Sequence, residues 1–215
     1  MSKAYLIPGL GADSRIYNNI IIDGCELIKL DWIEPDKTDT LKSYAQKLIL
    51  QNNIVPLSVV IGNSLGGMIA IEIAKILPVK KVILISSIKT IDEAPAYFSF
   101  FRALPVYKII PGKLMTSMGI AIRFMFGKMS EADNRLFIDM LENSSPTFMK
   151  WAMYASLHWD NKTVPANVTI ITGDNDKVFN YRRIGYPIIV KGGTHIMIFD
   201  RANEINAILK NILAK

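Results

Sequence analysis

Ser64 stands between Gly62 and Gly66 in the stretch "VVIGNSLGGMIAIEIAKIL" (59–77), where a β-branched run passes through glycines into a long apolar segment. A serine hydroxyl attacks an acyl carbon only when a base takes its proton, and a neutral imidazole does this near pH 7. The sequence holds 2 histidines. His158 lies between Leu157 and Trp159 in a helical pattern, which suits a structural role. His195 follows Gly192 and Gly193 in a loop after the last apolar run, where a side chain can reach a sheet edge. An acid that orients the imidazole would complete nucleophilic acyl chemistry. The turn "GDNDKVF" (173–179) offers Asp174 and Asp176 for that role.

These residues need elements to position them. "KAYLI" (3–7), "ELIKL" (26–30), "LSVVI" (57–61), "KVILI" (81–85), "NVTIIT" (167–172) and "YPIIV" (186–190) read as strands buried on both faces, as in a parallel sheet. Between them Leu41, Tyr44, Ala45, Leu48 and Ile49 form one helical stripe, with Thr38 or Asp39 as its cap. Ile205, Ile208, Leu209, Ile212 and Leu213 repeat that spacing in a closing helix. The alternation predicts an α/β fold: a parallel sheet covered by helices on both faces. Ser64 then falls at a sharp strand-to-helix corner. Gly62 and Gly66 remove side chains that would clash there, and Gly67 lets the helix pack close. The helix N-terminus presents free N–H groups that favour an oxyanion.

From Ile91 to His158 the alternation stops, and the signals are helical. Ser130 with Asp133 forms a capping pattern, and Ser145 precedes Pro146 as N-cap before N1. Pro95, Pro105, Pro111 and Pro146 divide the segment into short helices. Phe98, Phe100, Phe101, Met115, Met118, Phe124, Met125, Phe126 and Met129 load it with adaptable apolar groups, which fit either a helical subdomain core or a lid over an apolar pocket.

Composition narrows the function classes. The 215 residues suffice for one domain with an inserted subdomain. Half are hydrophobic, 20% are charged and the mean hydropathy is +0.25, which argues against disorder. No apolar run is long enough to span a bilayer; "MGIAIRFMF" (118–126) is short and contains Arg123. The net charge of +6 comes from scattered lysines, a solvated basic surface rather than a nucleic-acid site. The first residues lack a secretory apolar segment, and the single Cys25 cannot form an internal disulfide, so a cytoplasmic location is expected. No zinc-like Cys/His spacing, Walker loop or H-E-x-x-H is present, and "PGLGAD" lacks the third glycine of a dinucleotide fingerprint, so no metal or other cofactor is expected.

The chain resembles the α/β-hydrolase fold family over nearly its whole length. "GNSLGG" (62–67) is similar to that family's nucleophile elbow, and "IPGLGAD" (7–13) resembles the loop that completes its oxyanion hole. The resemblance implies backbone donors at Leu10 and Leu65. "ITGDNDKVF" (171–179) matches the strand-end G-x-x-D and points to Asp176 as the acid, with Asp174 its rival; "GGTHIMIF" (192–199) matches the histidine loop. Ser64, Asp176 and His195 follow the family's chain order. The resemblance further implies a core of residues 1–90 and 159–215, with residues 91–158 inserted as a helical lid. Two departures stand out. The family's leading antiparallel pair is missing, which leaves about six strands in a mostly parallel sheet, and Asn63 replaces the usual aromatic or histidine before the nucleophile.

The expected activity is hydrolysis of a small apolar carboxylic ester through an acyl-enzyme. Thioesterases, lactonases, carbon–carbon hydrolases and cofactor-free haloperoxidases of the family share the same triad, and small-molecule receptors share the fold. A hydroxynitrile lyase fits less well, because such relatives carry a lysine where this chain has Ile196. An inert scaffold fits poorly with all three triad positions present.

Overall fold

A computed structural model describes residues 2–105 and 129–214. Its sheet has six strands: β1 (Ser2–Ile7), β2 (Cys25–Lys29), β3 (Val59–Asn63), β4 (Lys81–Ile85), β5 (Val168–Gly173) and β6 (Ile188–Val190). Their order is β2-β1-β3-β4-β5-β6, and every neighbouring pair is parallel. All six carboxyl ends therefore meet at one edge. The α/β architecture expected from the alternating pattern is what forms, without a leading antiparallel pair among the described residues.

Two strands begin later than their apolar runs. β3 starts at Val59 because Leu57 has φ 62° and gives its N–H to the Pro78 carbonyl, so it turns before the sheet begins. β6 starts at Ile188 because Tyr186 has φ 51° and points into solvent.

Helices α1 (Leu41–Gln51) and α2 (Leu65–Ile76) follow β2 and β3. Leu41, Tyr44, Ala45 and Leu48 are the buried face of α1. Its cap is Thr40 rather than Thr38 or Asp39: Thr40 Oγ1 accepts the Ser43 N–H, and Ser43 Oγ accepts the Thr40 N–H. The reciprocal pair satisfies two otherwise free donors, which neither earlier residue can do. Between β4 and β5 lie α3 (Ala96–Ala103), α4 (Glu131–Asn143) and α5 (Pro146–Leu157), with no strand among the described residues. Ser130 and Ser145 cap α4 and α5, and Pro146 opens α5, as the sequence predicts. Pro111, Met115, Met118, Phe124, Met125 and Phe126 lie outside the described residues. Helices α6 (Met197–Asp200) and α7 (Ala202–Leu213) close the chain.

Alternate strand side chains feed opposite faces. Tyr5, Val60, Val82, Leu84 and Ile170 pack with α1, α2 and α5, whereas Leu6, Ile61, Ile83, Ile85 and Ile171 pack with α6 and α7. Each such fully buried aliphatic side chain contributes roughly 1.5–3 kcal/mol. This three-layer core holds the carboxyl edge of the sheet rigid. Among the described residues, no helix is long and apolar enough to cross a membrane.

Candidate active site

Ser64 occupies the corner between β3 and α2 with φ 50° and ψ −116°, a conformation that strongly favours glycine. The corner is tight on both sides. A Cβ on Gly62 would lie 2.2 Å from the Gly66 carbonyl oxygen, and one on Gly66 would lie 2.2 Å from that of Ile7. A Cβ on Gly67 would meet Ser87 Oγ at 2.4 Å.

The neighbouring strand end holds this strained turn. Ser64 donates its N–H to the Ile85 carbonyl at 3.0 Å, and its own carbonyl accepts from the Gly67 N–H at 3.0 Å and the Ser87 hydroxyl at 2.6 Å. Asn63 is buried and gives its side-chain amide to the Ile85 carbonyl at 3.3 Å. The unusual residue before the serine thus braces the corner. Nothing in the sequence marks Ser87 except its place just beyond β4.

Two loops bring the other groups over the sheet edge. The β5–β6 turn and the histidine loop touch so closely that a Cβ on Gly173 would lie 2.0 Å from the Gly193 carbonyl oxygen, and Asn175 donates its N–H to that oxygen at 2.9 Å. His195 is buried there with Nε2 at 3.0 Å from Ser64 Oγ. Its Nδ1 lies 2.9 Å from Asp176 Oδ2. Asp176 Oδ1 accepts the Val178 and Phe179 N–H groups at 2.8 and 2.9 Å, and the Phe179 ring meets the imidazole edge-on with centroids 5.5 Å apart. Asp174 instead accepts the Gly192 N–H at 2.6 Å and closes the base of the histidine loop. His158 stands apart, capping α5 with Nδ1 at 2.8 Å from the Tyr154 carbonyl oxygen.

Leu65 follows the serine directly, and Leu10 follows Gly9 in the loop after β1. Leu65 is the first residue of α2, whose opening N–H groups have no partner within their own helix. Leu10 sits in a turn closed by the Ala12 N–H on the Gly9 carbonyl at 3.1 Å, with Gly11 at φ 75° as this turn type requires. The turn abuts the serine: a Cβ on Gly9 would lie 3.3 Å from Ser64 Cβ. Trp32 and Met140 help line a cavity of about 490 Å³ beyond this turn, and neither Ser64 nor His195 borders it. Among the described residues no three His, Cys, Asp or Glu side chains gather as a cation site.

A serine hydroxyl, an imidazole and a carboxylate in series can move a proton away from the serine oxygen, which makes that oxygen a nucleophile.

Solved structures with the same architecture include a thermophilic esterase from Thermogutta terrifontis, at 14% identity and TM-score 0.75, with 100% of this chain and 90% of that one covered. A bromoperoxidase from Bacillus anthracis matches at 18% identity and TM-score 0.75, covering 100% and 92%. MenH from S. aureus matches at 18% and 0.75, covering 99% and 93%. No curated protein matches the chain in sequence. Residues 5–208 match the model of the alpha/beta hydrolase family, and the chain belongs to that family.

Proposed function

We propose that the protein is a serine hydrolase that cleaves a small apolar carboxylic ester through an acyl-enzyme. The observation that carries this reading is the series Asp176 Oδ2, His195 Nδ1, His195 Nε2 and Ser64 Oγ, linked at 2.9 and 3.0 Å. His195 Nε2 takes the hydroxyl proton as Ser64 Oγ bonds to the acyl carbon, and the carbonyl oxygen becomes an oxyanion facing the Leu10 and Leu65 N–H groups. The imidazolium then protonates the departing alkoxide as the acyl–oxygen bond breaks. Water, deprotonated by the same nitrogen, attacks the acyl-enzyme, and Ser64 leaves with the proton. Asp176 is held by the Val178 and Phe179 N–H groups on Oδ1, and its Oδ2 fixes the tautomer of His195 through Nδ1. Helices within residues 91–158 serve as a lid on a core of residues 1–90 and 159–215. Support for the lid comes from Leu141 and Met149, whose side chains would lie 2.6 and 3.8 Å from a Cβ on Gly11 in the oxyanion turn.

The test is labelling with a fluorophosphonate, read by intact mass, together with turnover of p-nitrophenyl esters. Wild type gains one adduct and hydrolyses the ester, and Ser64→Ala does neither. An adduct that persists in Ser64→Ala would sink the reading.

A further inference from the structure

Trp32 lies just after β2, outside the triad and outside every motif of the site, yet its indole reaches the turn beside Ser64. Nε1 donates to the Ala12 carbonyl at 2.8 Å and, more weakly, to the Gly9 carbonyl at 3.3 Å. The Gly9 carbonyl also accepts the Ala12 N–H at 3.1 Å. Gly9 C=O and Leu10 N–H belong to one trans, planar peptide, so they point in opposite directions. Holding the carbonyl toward the indole holds the Leu10 N–H away from it.

The far face of the same indole is stacked. Trp32 and Phe148 of α5 lie with ring centroids 4.6 Å apart and planes 30° apart, and Tyr44 closes the group at 6.2 Å from each. The indole cannot swing without unstacking, so both ends of the Gly9–Ala12 turn take their orientation from a ring fixed by α1 and α5.

We infer that Trp32 is a positioning residue of the oxyanion hole: its N–H fixes the Gly9–Leu10 peptide so that the Leu10 N–H faces the developing oxyanion, and its stack makes that orientation depend on helix α5. The inference rests on the proposed acyl transfer at Ser64. It assigns Trp32 no contact with substrate. Loss of the indole N–H leaves the Gly9 carbonyl held by the Ala12 N–H alone and the Ala12 carbonyl without its indole donor. That loosens the turn and weakens a donor used in the transition state more than in the ground state.

The experiment compares wild type with Trp32→Phe, which keeps an aromatic ring against Phe148, and with the benzothiophene analogue of tryptophan at position 32, which removes only the N–H. The readouts are kcat and KM for p-nitrophenyl butyrate, inhibition by an alkylboronic acid that forms a tetrahedral adduct, and melting temperature. In both variants kcat is expected to fall about 10- to 100-fold, somewhat less than the loss of a whole oxyanion donor. Boronate affinity should fall in step, with KM within about twofold of wild type. Unchanged kcat in the benzothiophene variant overturns the inference. So does a loss of melting temperature with kcat and boronate affinity intact, because that result assigns Trp32 to stability alone. A wild type without Ser64-dependent turnover overturns the proposed function and this inference with it, whereas an active wild type beside unaffected variants overturns this inference only.

Discussion

The Ser87 hydroxyl donates to the Ser64 carbonyl at 2.6 Å, across the ends of two neighbouring strands. Asn63 and Ile85 are the last register partners of β3 and β4, and the residues one step beyond them, Ser64 and Ser86, have φ 50° and 49°. Two non-glycine residues thus turn out of the sheet side by side. The second turn is what delivers the Ser87 hydroxyl to the first.

Replacing Ser87 by alanine removes one of two donors to that carbonyl, leaving the Gly67 N–H. The unfolding free energy is expected to fall by about 1 kcal/mol, and ester turnover several-fold, because a looser corner moves the serine oxygen relative to His195. Urea denaturation and steady-state kinetics measure both. Turnover equal to wild type would show that the clamp is not needed for the chemistry.

Ser64 itself separates strain from activity. Ser64→Ala keeps the Cβ and hence the strain, so its stability should match wild type within about 0.5 kcal/mol while hydrolysis disappears. Ser64→Gly removes the strain and should gain roughly 1 kcal/mol, with hydrolysis equally absent. A glycine variant less stable than the alanine variant would contradict the strained corner.

The two acids of the β5–β6 turn should behave differently. In Asp176→Asn the Val178 and Phe179 N–H groups select the amide oxygen, which turns the NH₂ toward His195 Nδ1 and imposes the wrong tautomer. Turnover is expected to drop by as much as ~10⁴. Asp174→Asn retains an oxygen for the Gly192 N–H and should stay close to wild type, whereas Asp174→Ala should lose about 1 kcal/mol of stability. Turnover and melting temperature of the three variants decide the matter, and a large kinetic loss in Asp174→Asn would reverse the assignment.

Acid should loosen the junction of α1 and α5 through Asp39. Burial alone would raise its pKa, but the Lys47 ammonium, the Asp36 N–H and the Ser43 hydroxyl together hold it below the ordinary carboxylate value. A group depressed in the folded state stabilises above its unfolded value, and that stabilisation is lost as pH falls through the folded one. The Asp39 backbone carbonyl also accepts the Trp151 indole N–H at 2.8 Å, so the loss would reach α5. Asp39→Asn is expected to cost about 1–2 kcal/mol at neutral pH, with the gap to wild type closing in acid. Urea titrations across that range give the measurement, and a gap independent of pH would rule out the linkage.

The sequence showed the central strands clearly because they are apolar enough to be buried on both faces, and it showed the corner because glycines at 62, 66 and 67 have few other uses. The "ELIKL" run is not buried as expected: as the edge strand β2 it leaves Glu26 and Lys29 exposed. It left the strand ends uncertain where a turn hides within an apolar run, as at Leu57 and Tyr186. Thr40 does not stand out as the cap in the sequence, because three polar residues in a row can each serve and only the reciprocal bond with Ser43 separates them. Ser64 and His195 carry motifs of their own. Trp32 and Ser87 do not, since a bracing hydrogen bond to a backbone carbonyl leaves no pattern in residue spacing.

Strand β2 forms one margin of the sheet, and no strand among the described residues pairs with its outer side. Its outward backbone groups offer a template to any extended chain that meets them in solution. Glu26 and Lys29 stand exposed on this five-residue strand, and Lys29 is tethered to Asn18 at 2.9 Å. They act as guards against intermolecular strand addition, a hazard that a flanking pair of strands would otherwise have masked. Exchange both for valine, and colloidal behaviour should fail well before catalysis does.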